Sequence, residues 1–371
     1  ANAIRLTDGA ATLAEAFADN GYVTLAAVCA LPLFDRVTNL GQGFDRYSMP
    51  ADANKRDGAE ALEDLLTNLA TYDDQPVFAW LHVYDAHAPY TPPEELERLY
   101  YAADRDPFDE GLAGAQPDLA PNWNRKIADP EFTEALYRSE VTYVDGLMAR
   151  MFAVPRVERA QVAFTSDHGE QLTRGLDARY NHDGLSLNTL AVPLIFVGEG
   201  VPSGASRSEA VRQIDVGRTL LNIAGLADEP FPGQDLLAAS AVGRDARFAL
   251  EANGWGASIL RGDRFLRLRL RQKQREPRSK VHGVELFDLA NDPFCEHDLT
   301  EERFEEAKAL RSELIEWLLA ASPADLREAA DAPSSALQAQ LAELGYASEE
   351  LGETIELFDA DCDCEQCQHF R

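Results

Sequence analysis

Residues 161–198, QVAFTSDHGEQLTRGLDARYNHDGLSLNTLAVPLIFVG, restrict the fold more than any other stretch. Val162 to Thr165 is a short apolar run, the length of a buried strand, and polarity then switches abruptly at Ser166-Asp167-His168-Gly169-Glu170. In open α/β sheets, ligands sit outside the carboxyl ends of strands. A loop follows with Asn181-His182-Asp183-Gly184, and a second apolar run, 192–197, ends at Gly198. Two strands therefore flank a loop rich in His and Asp. Asp beside His suits a divalent cation, since carboxylate supplies a hard oxygen and neutral imidazole a borderline nitrogen. The plainer alternative is a capping Asp beside a surface His.

At 371 residues the chain has room for two domains, or one large domain with an appendage. The net charge of −30 is spread along the chain and disfavours nucleic acid, whose phosphates it would repel. Lys is scarce, and Arg supplies most of the positive charge. An acidic, Lys-poor surface suits a high-salt cytoplasm, where salt screens self-repulsion; a GC-rich genome gives the same Arg bias. No run of 18 apolar residues is present, so no membrane span is expected, nor is a signal peptide visible; a cytoplasmic location is the expectation.

Before residue 235, apolar strand-like runs alternate with helical patterns. Helices are expected at 10–20, 58–71, 132–152 and 209–225, and strands at 22–30 and 77–83. Asp85-Ala86-His87-Ala88-Pro89-Tyr90 lies at the end of the 77–83 strand. His82, within that strand, reads as a satisfied core histidine rather than a ligand. Glu140 and Asp145 are assigned to the polar side of their helix. Residues 101–130 read as a long loop, either a lid or a solvated insertion. From 246 to 290 the pattern becomes short strands of an antiparallel sheet, followed by a helix near 301–320. Arg267, Arg269 and Arg271 alternate with leucines and read as a solvated strand face. The fold class is α/β: a mixed sheet between helices, with strands 77–83, 162–165 and 192–197 in one sheet, plus a smaller C-terminal antiparallel sheet and helix.

TSDHGE, then HDGLSL and VPLIFVG, together with TLAE, NGY, GFDRY, ELFDLANDP and LAELGY, resemble the sulfatase branch of the alkaline phosphatase superfamily. The resemblance covers roughly 10–300 and the LGY stretch. It implies an alkaline phosphatase-like fold, with 1–235 as the core and 236–347 as a C-terminal subdomain; beyond the resemblance, 348–371 reads as an acidic, Cys-rich tail. It also implies that Asp167 and His168 ligate a divalent metal (Ca, Mg or Mn). By the same resemblance, His87 binds the sulfuryl oxygens, and His182 contacts the sulfate or protonates the leaving oxygen. The implied substrate is a small-molecule or carbohydrate sulfate ester. Ala86 stands where the family usually has Pro.

A sulfatase also needs an N-terminal strand ending in metal-binding Asp residues, and a Cys or Ser in C/S-x-P/A-x-R as nucleophile. The chain reads as lacking that motif, since Cys29 precedes Ala-Leu-Pro-Leu without the Arg. Three readings follow: a sulfatase without its first segment, a phosphonate monoester or phosphodiester hydrolase likewise shortened, or a non-enzymatic relative or half of a split enzyme. As given, the chain is expected to be inactive, and a second chain supplying the segment is a candidate partner. Finally, Cys362, Cys364 and Cys367, followed by His369, offer a tetrahedral zinc set; the alternative is an unstructured tail.

Overall fold

The computed structural model describes residues 4–50, 55–112, 124, 126–172, 180, 182, 184–208, 211–227, 230–238, 245–251, 254–271, 281–320, 327–329, 358–359 and 361–371. In chain order its elements are β1 (Ile4–Leu6), α1 (Leu13–Asp19), β2 (Val23–Ala27), α2 (Asp35–Thr38), β3 (Arg46–Ser48), α3 (Gly58–Ala70), β4 (Val77–Leu81), α4 (Pro130–Phe152), α5 (Pro155–Glu158), β5 (Val162–Thr165), α6 (Leu187–Leu190) and β6 (Leu194–Val197). There follow α7 (Ile214–Ile223), β7 (Ala246–Leu250), β8 (Gly256–Arg261), β9 (Arg264–Arg269), β10 (Val284–Asp288), α8 (Phe304–Ala320), β11 (Arg327–Ala329) and α9 (Glu365–His369). LAELGY and most of the 113–125 stretch lie outside the described residues.

Local chemistry explains the boundaries. In TLAE, Thr12 caps α1 by accepting from Glu15 N–H, while the Glu15 carboxylate accepts from Thr12 N–H at 2.9 Å. Asp57 caps α3, which buries Ala61, Leu62, Leu65 and Leu69 at helical spacing. Asp129 caps α4, with Pro130 at its first position, where the lost N–H had no helical partner anyway. Phe132, Leu136, Leu147 and Met151 line the buried face of α4 as its periodicity predicts.

The α/β architecture follows the sequence. β2 lies between β3 and β4, parallel to both. A separate antiparallel sheet has the order β10-β9-β8-β7. Helix α8 covers it, burying Ala307, Leu310, Leu314 and Leu318 against Ile259, Leu266 and Leu286. By the area rule, each fully buried Leu or Ile there contributes on the order of 2 kcal/mol.

One expectation is corrected. The strands at 77–83, 162–165 and 192–197 do not share one hydrogen-bonded sheet. β5 pairs antiparallel with β6 alone, and β4 pairs with β2 alone among the described residues. β4 and β5 are instead held on one helix layer: Val77, Leu81, Val83 and Val162 pack against a cluster built on Leu62, Leu147 and Met151. Both strands are unusually exposed for apolar runs in such a sheet; Ala79 and Thr165 are exposed and their neighbours only half-buried. Ile195 and Val197 on β6 are 52% and 43% exposed.

Candidate active site

Three loops meet at one cleft, lined by His82, Asp85 and His87 after β4, and by Ser166, Asp167 and His168 after β5. His182, from the third loop, joins them. The ring nitrogens of His87, His168 and His182 lie within 4.8 Å of one another. The His182 ring stacks on His168 with centroids 4.3 Å apart and sits 4.8 Å from His87. The four residues expected at the site are thus gathered in one place.

The loop carrying His87 is fixed by two carboxylates, half-buried Asp85 and buried Glu140. Asp85 accepts from Gly58 N–H at the N-terminus of α3 (3.0 Å), where any side chain on residue 58 would collide with it. Glu140, on α4, accepts from Ala86 N–H (2.9 Å) and Thr91 N–H (2.7 Å). Placing Glu140 on the polar face is therefore corrected: it is buried, and burial pushes its pKa up to about 7 despite those two hydrogen bonds. Asp145 is exposed, as expected. Ala86 has φ of +73°, a conformation closed to proline's fixed φ, which accounts for Ala where Pro was expected.

Hydrogen-bond partners assign the imidazole protons. His87 Nδ1 lies 2.6 Å from the Ala88 carbonyl, which can only accept, so Nδ1 carries the proton. Its Nε2 accepts from Tyr84 O–H at 3.2 Å, and the two rings stack at 4.2 Å. Burial, reinforced by His182, lowers the His87 pKa to about 3, so the ring is neutral at pH 7. His82 accepts from Cys29 N–H at 3.4 Å, and burial lowers its pKa to about 4. It is satisfied as expected, yet it also faces the cleft. His168 donates from Nδ1 to the Gly169 carbonyl at 2.9 Å, which leaves Nε2 with a free lone pair. That nitrogen faces Asp167 Oδ2 at 3.7 Å. Two electron-rich atoms at that separation are what one cation can bridge, so the donor set fits a divalent metal.

The other two loops interlock. Gly169 N–H donates to the Thr189 carbonyl at 2.9 Å, and a Cβ at residue 169 would fall 2.0 Å from the Asn188 carbonyl oxygen. Gln171 accepts from Ser186 O–H (2.8 Å) and Asn188 (3.2 Å), while Thr189 O–H donates to the Gly184 carbonyl (2.7 Å). Gln213, ahead of α7, donates to the carbonyls of Ser166 and Asp167. Thus HDGLSL holds the chain just after His182 against SDHG.

Three further readings change. In letters, Ser203-Gly-Ala-Ser-Arg207 does fit C/S-x-P/A-x-R, which corrects the reading that the chain lacks the pattern. Those residues form an exposed turn after β6 and do not line the cleft. Arg267 is not on a solvated face: its side chain is 12% exposed and pairs with Glu285 at 3.6 Å. His369 is not beside the three tail cysteines' fourth partner position; it pairs with Glu301 at 3.5 Å, and His282 meets the cysteines instead.

A family model described as Sulfatase matches residues 2–226, more than half of the chain. The chain belongs to the sulfatase family. A curated relative, the low-salt glycan biosynthesis sulfotransferase Agl7 of Haloferax volcanii, is 29% identical over 121 residues, 31% of this chain and 30% of that protein. The match therefore spans under a third of that relative's length. Among solved structures, BT4656 in complex with D-glucosamine-2-N,6-O-disulfate superposes with a TM-score of 0.65 at 14% identity, over 86% of this chain and 84% of that one. The phosphonate monoester hydrolase of Silicibacter pomeroyi gives 0.59 at 16% identity, over 88% and 82%. At such identities these likenesses establish the fold. Among the described residues, no helix is long and apolar enough to cross a membrane.

Proposed function

We propose that this chain carries one part of a metal-assisted sulfuryl-transfer site that hydrolyses sulfate esters once a nucleophile-bearing segment is in place. The observation that carries it is the convergence of His87, His168 and His182 beside Asp167. Asp167 and His168 Nε2 hold a divalent cation, Ca, Mg or Mn, which supplies positive charge for oxygens that gain charge in the transition state. His87 and His182 face the sulfuryl oxygens and the leaving oxygen. With Nδ1 committed to the Ala88 carbonyl, His87 would have to gain a proton at Nε2 and release Tyr84 O–H in order to donate to a sulfuryl oxygen. A carbohydrate sulfate ester is the proposed substrate class, supported by the sulfated sugar bound to BT4656. The family core is proposed to end near residue 235, and the location to be cytoplasmic, which suits five cysteines without disulfides.

The segment is proposed to enter as a strand between β4 and β5, each of which has one edge unpaired among the described residues. It arrives either from chain preceding residue 1 or from a second polypeptide. Phosphonate monoester hydrolysis is the second reading, favoured by the Silicibacter pomeroyi likeness. Residues 1–371 should be assayed alone and joined to a segment bearing C/S-x-P/A-x-R, against paired aryl sulfate and aryl phosphonate esters. Metal-dependent sulfate turnover only in the completed protein is expected. Robust turnover by 1–371 alone contradicts the divided site, and a preference for phosphonate selects the second reading.

A further inference from the structure

A second group of ligand atoms lies against the antiparallel sheet. Cys362, Cys364 and Cys367 come from the tail, and His282 from the turn before β10, some eighty residues earlier. The Cys362, Cys364 and Cys367 sulfurs lie 3.3, 3.5 and 3.5 Å from His282 Nδ1. A tetrahedral zinc ion, with bonds of about 2.3 Å to sulfur and about 2.0–2.1 Å to nitrogen, holds S and N about 3.5 Å apart. All four ligand atoms lie within 4.8 Å of one another. One imidazole nitrogen cannot hydrogen-bond three thiols at once in any proton arrangement, whereas a single cation at the centre satisfies all four.

Two features around the cluster fit the same ion. Cys364 caps α9, and its sulfur accepts from Cys367 N–H at 3.5 Å, so the C-x-x-C turn presents both sulfurs to one side. Three thiolates around a dication leave a net charge of −1, which would be costly in an apolar setting. Arg311, on α8 and 7% exposed, places its guanidinium 3.2 Å from Cys367 Sγ and over the rings of Phe358 and Phe370. A buried cation aimed at sulfur is the counter-charge that a thiolate-rich site requires.

We propose that Cys362, Cys364, Cys367 and His282 form a closed, four-ligand zinc site that clips the C-terminal tail onto the antiparallel sheet and α8. The site is structural, because no coordination position is left for substrate. It secures the burial of Phe358, Cys367 and Phe370 in the cluster built on Leu310, Leu314 and Leu286. Zinc binding displaces the thiol protons to solvent, so the site fills under reducing conditions and weakens in acid. It is independent of the sulfuryl site, which lacks sulfur ligands.

The test uses the full chain purified under reducing conditions. Zinc content is measured, and cobalt(II) is then substituted for zinc. A near-ultraviolet sulfur-to-cobalt charge-transfer band arises only from thiolate ligation, so metal at the histidine cluster does not mimic it. About one tightly held zinc and a strong band are expected. His282→Ala and the double change Cys364→Ser, Cys367→Ser should each weaken zinc binding by at least about 100-fold, one ligand's share of a structural zinc affinity. His369→Ala should leave it unchanged. Wild-type protein that gives no thiolate band, or whose tail cysteines prove to be disulfide-bonded, overturns the proposal without recourse to variants. Unchanged affinity in His282→Ala overturns the assignment of the fourth ligand.

Discussion

Replacing Glu140 with Gln tests whether this buried carboxylate holds the His87 loop. The wild-type side chain accepts two backbone N–H groups, from Ala86 and Thr91. An amide has one acceptor oxygen, so Gln leaves one buried N–H facing an NH₂ group. That mismatch costs about 1–3 kcal/mol. Ionisation adds a pH-dependent term of the opposite sign. Burial raises the Glu140 pKa from the ordinary carboxylate range to about 7. Protonated Glu140 is thus favoured in the folded state. Its stabilising contribution is complete below the unfolded pKa and is lost as pH rises through the folded one. The loss amounts to about 3 kcal/mol between pH ~4.5 and ~8, at about 1.4 kcal/mol per pKa step. Gln cannot ionise and does not share that loss. Glu140→Gln should therefore be less stable than wild type by about 1–3 kcal/mol at pH 5, and level with it or more stable at pH 8. Urea unfolding followed by tryptophan fluorescence at pH 5, 6, 7 and 8 measures the difference. Hydrogen exchange over residues 85–91 reports whether the loop itself has loosened. A gap that stays constant from pH 5 to 8, or widens as pH rises, would refute the assigned burial of this carboxylate.

Three further outcomes are expected. Asp167→Ala and His168→Ala should each weaken Mn²⁺ binding at the cleft by about 100-fold or more in calorimetry, since each removes one of two bridging ligands; unchanged affinity in both would move the metal elsewhere. Gly169→Ala should destabilise the chain by about 1–3 kcal/mol, because its Cβ would meet the Asn188 carbonyl backbone; an unchanged urea midpoint would show that the loops can part without strain. The edges of β4 and β5 that are unpaired among the described residues should make isolated 1–371 prone to self-association at moderate concentration, and a cooperative, monomeric melt in dilute buffer would count against the proposed strand insertion.

Features written in local sequence were legible. The Thr12–Glu15 capping box, the helical stripes of α3 and α4, and polarity switches at strand ends each depend on residues a few positions apart. The three site loops were readable because Asp85 to Tyr90, Ser166 to Glu170 and His182 to Leu187 each carry a compact motif. What depends on distant partners was not. Glu140 sits among charged and polar helix residues, and only the loop folded over it turns that position inward. His369 lies next to the cysteines in sequence, yet it packs edge-to-face against Phe304, while His282 reaches them from the turn before β10. Arg267 alternates with buried leucines as an exposed residue would, but Glu285 on the neighbouring strand covers its charge.

On the proposed divided site, the strand edges left unpaired among the described residues and the nucleophile to be supplied would meet at one cleft. β4 runs into the loop that bears His87, and β5 into the one that bears Asp167 and His168, so both strands deliver their carboxyl ends to one cleft. A strand entering between them and running parallel to both would satisfy both edges, and its own carboxyl end would emerge in that cleft. There it would stand between His87 on one side and the Asp167–His168 pair on the other. Chemistry at a strand's carboxyl end is where α/β sheets place it. On that proposal, one insertion would supply both strand pairing and a catalytic group. The carboxylate clamps of Asp85 and Glu140, and the lock of Gly169 on Thr189, hold both sides of the cleft. A site of the proposed divided kind can be prearranged because its supports come from the surrounding helices and loops.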